Sequence, residues 1–397
     1  MIRTTATRIF FILFLCTGSG LSLSAQAGRD PVRAPVSPEE IARLQRQIAR
    51  ESRSTVEVLT EYRPETGEVN DRLNLWRYGG RLNLRFEGGW RFSASVVQTY
   101  YRSQAPDFNS LGTNVTFGLQ APPSDSWDAR VEAGFTAFTS DAFTVHGLAH
   151  VTRRLSERRT LYVTAARSNI EETLLSAAGL RPALGPFAGE LVGAVMENRF
   201  TGGLLYQLPY EADVFGEGGI GNRHGRNVES NVLTHARAGA GINLVSGTVG
   251  APVTLARASY QFHYFGFGDD RSGFGGASLV GRRGALASPE TLGGDGISPI
   301  PTETRAGVGG YFSPGYFVSN LGLIELQGVI DESVVYRLAG FVGVQAYTGP
   351  DPGQVNGVSG SIEFPLSEDW SLPISYYRDT LGPFTQQSIL VAARRAF

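Results

Sequence analysis

The sequence has one cysteine, Cys16, and no lysine, since all 35 of its basic residues are arginine. Cys16 lies within an apolar leader, so the chain that follows the leader has no thiol. This absence excludes a disulfide framework and thiol chemistry in the mature chain. The net charge of −2 leaves no positive excess for a nucleic-acid partner.

The chain also has no long apolar run. The leader run, Ile9–Leu15, is seven residues long, whereas a helix needs roughly 20 to cross a bilayer. Arg3 and Arg8 precede this run, and Ala25-Gln26-Ala27 has the small residues of a cleavage site. Residues 1–27 are therefore predicted to be a secretory signal peptide. If the mature chain enters a membrane, it must do so as strands.

Motifs for catalysis and for metal or cofactor binding are missing. No G-x-S-x-G sequence occurs, and the G-x-G-x-x-G match at 216–221 lies in an alternating stretch rather than between a strand and a helix. His146 and His150 are four apart, which on a strand separates them by about 14 Å. We therefore predict no enzyme activity, no cofactor and no metal site.

Residues 28–53 are predicted to be a periplasmic linker and one short helix. Ser37-Pro38-Glu39-Glu40 has the form of a capping box with proline at the first helical position. Ile41, Leu44 and Ile48 then recur at helical spacing.

From Ser54 to Phe397 the hydrophobic period changes to two. In the stretch 128–138, polar residues such as Arg130 and Glu132 alternate with apolar residues such as Val131. Such stretches are about ten residues or longer, which is the length of a tilted membrane strand. About sixteen of them occur, joined alternately by short turns and, with an exception near 139–141, by longer loops. The pattern predicts an all-β, antiparallel up-and-down barrel of about 16 strands over 54–397 in the outer membrane; the alternative is a soluble β-sandwich.

A barrel of this size leaves an aqueous lumen unless something fills it. The polar face of the strands would then line a solute path, and its charged members have both signs. Such a mixture suits a neutral polar solute; the alternative is that these residues are solvated groups that brace one another. The charged residues of this predicted path are Asp128, Arg130, Glu132, Glu211, Asp213, Glu217, Arg237 and Arg257.

Three blocks resemble a known family. Gly309-Gly310-Tyr311-Phe312-Ser313-Pro314 looks like the G-G-Y-F-S-P signature of the C-terminal barrel of cellulose synthase operon protein C. Arg167 through Glu172-Thr173-Leu174-Leu175-Ser176 to Gly179 resembles an upstream block, and Gly225-Arg226-Asn227-Val228 with Asn231 resembles a third. The resemblance implies a monomeric pore that exports a nascent exopolysaccharide, ordinarily cellulose, from an inner-membrane synthase to the cell surface.

The resemblance also sets expectations for partners and for the path. The family carries a long array of helical repeats before its barrel, so here a separate periplasmic scaffold is expected to replace it. Tyr311 and Phe312 would stack on sugars or would shape a bend in the wall. Residues 269–303 form an insertion that would either gate the mouth or be an unstructured tip. A general diffusion porin and an adhesive surface barrel remain the alternative functions.

Overall fold

A computed structural model describes residues 53–66, 73–103, 109–122, 124, 126–181, 187–247, 251–270, 311–330, 333–348, 351–382 and 385–397. The predicted signal peptide, the predicted helix at 37–53 apart from Arg53, and the insertion at 269–303 apart from Asp269 and Asp270 lie outside the described residues. Among the described residues no helix is long and apolar enough to cross a bilayer.

Sixteen strands form one closed antiparallel barrel in which each strand pairs with its neighbours in sequence and β1 pairs with β16. This confirms the predicted fold class and strand number. The strands are β1 Thr55–Thr66, β2 Leu73–Arg85, β3 Arg91–Ser103, β4 Asn109–Gln120, β5 Trp127–Phe138, β6 Phe143–Ser156, β7 Arg159–Asn169, β8 Gly193–Gln207, β9 Ala212–Arg226, β10 Val228–Ser246, β11 Leu255–Phe267, β12 Phe317–Ile330, β13 Val334–Tyr347, β14 Gly353–Pro365, β15 Trp370–Asp379 and β16 Thr385–Ala396. A short helix, α1 Leu174–Ala178, lies between β7 and β8, and a 3-10 turn, Glu87–Gly89, lies between β2 and β3.

The two ends of the barrel differ in their connections. At the end that carries Ser54 and Phe397, which are joined by a backbone hydrogen bond of 2.9 Å, the connections are short turns such as 157–158 and 208–211. At the other end they include 170–192 and 268–316. Because outer-membrane barrels have short periplasmic turns and long outer loops, the end with the termini is periplasmic. Several outer connections are also short, among them the predicted exception near 139–141 and a one-residue turn at Asn227.

The outer surface of the barrel is apolar along the middle of the strands. Val58, Val131, Ile220 and Val342 are 55–65% exposed, and the alternate residues of each strand face the lumen. Such a surface is stable only in lipid, and the closed sheet pairs the backbone groups that lipid would leave unsatisfied. The apolar face therefore places the barrel in the outer membrane.

Aromatic residues mark the periplasmic membrane interface. Trp90, Trp127 and Trp370 all lie at the periplasmic ends of strands and are 43–47% exposed, as expected for the amphipathic rings of an interfacial belt. Arg395, which departs from the apolar face of β16, lies with its guanidinium 5.8 Å from the centroid of the Trp370 ring. Its charge is therefore held at the interface rather than in the hydrocarbon.

A pair of neighbours on β5 tests the assignment of the two faces. Val131→Arg places a charge in lipid near the middle of the strand and is expected to reduce the free energy of unfolding by about 2–4 kcal/mol. Glu132→Ala changes the lumen face, where one partly exposed ion pair with Arg130 is lost, and is expected to cost about 1 kcal/mol or less. Denaturant unfolding in lipid vesicles measures both values. Equal losses would contradict the assigned faces.

Candidate functional site: the lumen and its outer mouth

The loop between β7 and β8 turns back into the barrel and begins a short helix there. Residues 170–181 are named the inward loop. The hydroxyl of Thr173 accepts a hydrogen bond from the amide of Ser176 at 3.1 Å, and the hydroxyl of Ser176 accepts one from the amide of Thr173 at 2.9 Å. This reciprocal cap starts α1, and Gly179 ends it with φ of 70°. All five residues of α1 are buried although they belong to a connection between strands.

Apolar contacts fix the inward loop against both sides of the lumen. On one side, Leu174, Ala177 and Ala178 pack in a cluster with Leu73 of β2 and Phe138 of β5. On the other side, Ile170 belongs to a cluster that is contributed by β8, β10, β11 and residue 311; the other members of that cluster are Val195, Leu233, Phe267 and Tyr311. The loop therefore crosses the mouth rather than lying along one wall.

Glu171 ties the inward loop to the first strands. Its carboxylate accepts a hydrogen bond from the hydroxyl of Tyr101 at 3.0 Å and pairs with Arg63 at 3.3 Å and with Arg77. Burial alone would raise the pKa of this carboxyl, but Arg77 and Arg63 outweigh that effect and hold the pKa at about 2. Glu171 is therefore ionised at neutral pH.

Glu172 points to the opposite wall. Its carboxylate pairs with Arg223 of β9 at 3.0 Å and accepts a hydrogen bond from the amide of Phe312. Burial raises the pKa of the Glu172 carboxyl, and Arg223 and the amide of Phe312 oppose that rise. Adjacent glutamates thus reach two different sides of the barrel.

Arg223 joins the inward loop to a second inward segment. Its guanidinium donates to the carbonyl of Phe312 at 3.0 Å, pairs with Glu197 at 2.8 Å, and lies 5.0 Å from the ring centroids of both Phe267 and Tyr311. Three polar partners and two ring faces therefore surround one cation, whose side chain is only 11% exposed.

The second segment, residues 311–315, is named the inward strap. Tyr311, Phe312, Ser313 and Pro314 are all buried, and the carbonyl of Pro314 accepts a hydrogen bond from the amide of Phe267 at 3.0 Å. The ring of Phe312 stands nearly perpendicular to the stacked rings of Phe265, Phe317 and Tyr347, the nearest of which is Tyr347 at 5.1 Å. The strap precedes β12 and closes the mouth from the side opposite α1.

The third family-like block fixes the turn beside these segments. Asn227 has φ of 50°, and its amide donates to the carboxylate of Glu190 at 2.9 Å and to the carbonyl of Leu191 at 3.1 Å. Asn231 forms two hydrogen bonds with the backbone of Asp269, at 2.9 and 3.0 Å. Blocks that are far apart in sequence thus meet at the outer mouth. The space left between them and the wall of β15 and β16 is a cavity of about 220 Å³ that Phe312, Leu381 and Gln386 help to line.

The predicted path residues fall into three places. Seven lie on the lumen faces of β5, β9, β10 and β11: Asp128, Arg130, Glu132, Asp213, Glu217, Arg237 and Arg257. Glu211, which was predicted to lie on the same strand face as Asp213, instead lies in the periplasmic turn before β9 with φ of 57° and is exposed. Tyr311 and Phe312 lie in the inward strap and are only 1% and 8% exposed.

Most charges of the described lumen wall occur in opposite pairs, whereas Asp128 accepts a hydrogen bond from Gln120. Some of these pairs lie within one strand and others join adjacent strands or strands two apart, which the alternation of the sequence does not show by itself. The pairs are Arg394–Glu57 (2.8 Å), Arg77–Glu61 (2.9 Å), Arg130–Glu132 (3.1 Å), Arg257–Asp213 (2.7 Å), Arg237–Glu217 (3.0 Å) and Arg394–Glu363 (3.3 Å).

Sequence reasoning missed the residues that close the mouth. Glu171, Glu172 and Arg223 carry its ion pairs, but no strand period predicts them, because two of them lie in a connection. One available signal was the capped apolar sequence Thr173-Leu174-Leu175-Ser176, since a loop that faces only water has no need for two leucines.

Comparison with known proteins finds one matching family and several solved barrels of similar fold. A family model described as "Cellulose synthase operon protein C C-terminus" matches residues 79–272, which include two of the three blocks. None of the curated proteins matches the chain. Among solved structures, a "Bacterial polysaccharide outer membrane secretin" aligns with a TM-score of 0.56 at 8% identity and covers 87% of this chain and 99% of that chain.

Other barrels are less similar. The CymD monoaromatic hydrocarbon channel has a TM-score of 0.38 at 11% identity, with 87% of this chain and 89% of that chain covered. OpdO from Pseudomonas aeruginosa has a TM-score of 0.38 at 10% identity, with 87% and 97% covered. At these identities the likeness concerns the fold. The resemblance to the C-terminal barrel of cellulose synthase operon protein C is thus confirmed over residues 79–272, and the chain is an outer-membrane β-barrel with a channel architecture.

Proposed function

We propose that the barrel exports a neutral exopolysaccharide, cellulose or a related glycan, across the outer membrane by passive conduction. The observation that carries this proposal is the paired charge of the lumen wall. Opposite charges at 2.7–3.3 Å cancel one another's field over more than a few ångströms, so the wall offers hydrogen-bonding groups without selecting ions of one sign. The family match supports the choice of polymer class.

Conduction of a polymer requires weak contacts along the wall rather than one high-affinity binding site. A chain that is bound strongly at one point would stop, whereas repeated weak hydrogen bonds let it advance. In the proposal, the synthase in the inner membrane pushes the chain, a separate periplasmic scaffold guides it to the periplasmic end, and the barrel acts as a monomer. The inward loop and the inward strap move aside when the chain reaches the mouth.

The proposal predicts where the polymer goes when the barrel is absent. A deletion strain is expected to lose secreted polysaccharide and to accumulate it in the periplasm, and the intact gene is expected to restore secretion. Glu132→Ala with Asp213→Ala is expected to reduce secretion about twofold to fivefold, because two hydrogen-bonding carboxylates leave the path. Glu157→Ala is the matched control, since Glu157 is exposed in the periplasmic turn between β6 and β7, and should secrete normally.

The alternatives give different outcomes in the same strains. Unchanged secretion in the deletion strain, with a loss of small-solute permeability, identifies a diffusion porin. Unchanged secretion with a loss of surface attachment that shortening the 269–303 insertion reproduces identifies an adhesive barrel. Either result overturns the export proposal.

A further inference from the structure

Several large side chains of the lumen wall lie opposite a glycine on the neighbouring strand. Tyr162 of β7 is the direct partner of Gly203, Phe215 of β9 is the partner of Gly239, and His235 of β10 is the partner of Gly219. A Cβ built on Gly203 would lie 2.3 Å from Cζ of Tyr162, and one on Gly239 would lie 2.6 Å from Cε1 of Phe215. The rings therefore lean over the glycine, close against the wall, rather than standing towards the axis.

The orientation of these rings determines how wide the lumen is and which part of each ring faces it. A ring that stands up narrows the path and presents its edge, whereas a ring that lies along the wall leaves the path wide and turns a face to it. Tyr162 is half-buried, so part of its ring meets the lumen. Tyr311 and Phe312, in contrast, are almost wholly covered in the closed mouth.

Polar groups follow the Tyr162 ring in one row of the sheet, with Glu217 and Arg237 nearest to the ring and His263 about 19 Å along the row. The register carries Tyr162 to Gly203, then to Glu217, Arg237 and His263 on successive strands. The hydroxyl of Tyr162 donates to Glu217, which pairs with Nε of Arg237 at 3.0 Å. A carboxylate has about four acceptor positions and a guanidinium five donors, so both groups keep capacity for further hydrogen bonds.

We propose that this row is a glycan-binding subsite in the lumen wall. The face of the Tyr162 ring stacks on the apolar face of one sugar, Glu217 and Arg237 hydrogen-bond the hydroxyls of that sugar, and His263 hydrogen-bonds a sugar further along the same chain. An aromatic surface with a few convergent polar groups is the usual composition of a ligand site. The ligand class is a neutral chain of β-linked hexoses, whose rings have apolar faces and equatorial hydroxyls; this assignment rests on the proposed export function.

The position of the subsite fits a role before the mouth. Tyr162 lies in the periplasmic half of β7, so it is on the periplasmic side of the inward loop, which follows the outer end of that strand. A chain entering from the periplasm meets the row while the mouth is still closed. Weak binding there holds the chain end until the mouth opens.

The test measures binding of cellohexaose to the full-length protein in detergent by isothermal titration calorimetry. Tyr162→Ala is expected to raise the Kd about tenfold through loss of the ring. Gly203→Ala is expected to raise it similarly, because the new Cβ pushes the ring off the wall. Tyr162→Phe, which keeps the ring, is expected to stay within about threefold of the native protein.

Gly202→Ala is the matched control. Gly202 is the preceding residue of β8 and faces outward, and a Cβ at that position meets nothing within 4 Å. Its Kd should equal that of the native protein. Heat-modified gel migration reports whether each variant has formed the barrel, and Tyr162→Leu replaces Tyr162→Ala if the latter fails to fold.

Two results would overturn the subsite. Native Kd values in Tyr162→Ala and Gly203→Ala would show that the ring does not bind sugar. Failure of the native protein to bind either cellohexaose or laminarihexaose would exclude a site for β-linked glucans. Secretion by the deletion strain reports the export function separately, so the subsite can fail while export stands.

Discussion

Replacing residues 171–178 with a Gly-Ser linker is expected to raise single-channel conductance about tenfold, because a sixteen-strand barrel without an inner plug has an aqueous lumen. In the native structure Glu171 pairs with Arg77 on β2, and Glu172 pairs with Arg223 on β9, so the loop spans the mouth. The linker removes both carboxylates and α1. Planar bilayer recordings of the purified protein measure the change.

The control for this experiment changes a residue at the outer mouth and leaves the inward loop intact. Asp351 is exposed in the outer connection between β13 and β14. Asp351→Ala should keep the native conductance. If the linker variant also conducts like the native barrel, the inward loop is not what limits ion flow, and the closure must be sought in the rest of the lumen.

The strand pattern could be predicted from the sequence because lipid imposes it. Each outward residue meets hydrocarbon and each inward residue meets water, so Val131 and Glu132 differ in kind although they are neighbours. The same rule placed Arg130, Glu217 and Arg237 on the lumen face. It failed at Glu211, because this residue continues the alternation of β9 in sequence but lies in the turn 208–211 before that strand, with φ of 57°.

The closed mouth could not be predicted in the same way. Alternation records which solvent a strand residue meets, but the residues of a connection have no fixed face. The roles of Glu171 and Glu172 depend on ion pairs with arginines that are far away in sequence. The position of the Phe312 ring likewise depends on its contact with Tyr347. The family-like blocks indicated that these segments matter, and their convergence at one end of the barrel supplies a physical reason.

Replacing Arg223 with alanine is expected to destabilise the closed mouth by about 3 kcal/mol, because it leaves buried carboxylates without their cation. Glu197 is 6% exposed and Glu172 is 19% exposed, and both pair with this one guanidinium. The carbonyl of Phe312 also loses its donor. The barrel itself should persist, since its backbone pairing is unchanged.

Hydrogen exchange separates the mouth from the barrel. In Arg223→Ala, the amides of residues 170–181 and 311–315 should exchange about 100-fold faster, the factor that about 3 kcal/mol implies, while those of β5 keep the native rate. Arg199→Ala is the control: Arg199 also pairs with Glu197, at 2.5 Å, but it is 43% exposed and touches neither inward segment in any ion pair described. Equal acceleration in both variants would mean that Glu197 alone controls the mouth; acceleration in Arg223→Ala alone would establish that one arginine holds the loop and the strap together.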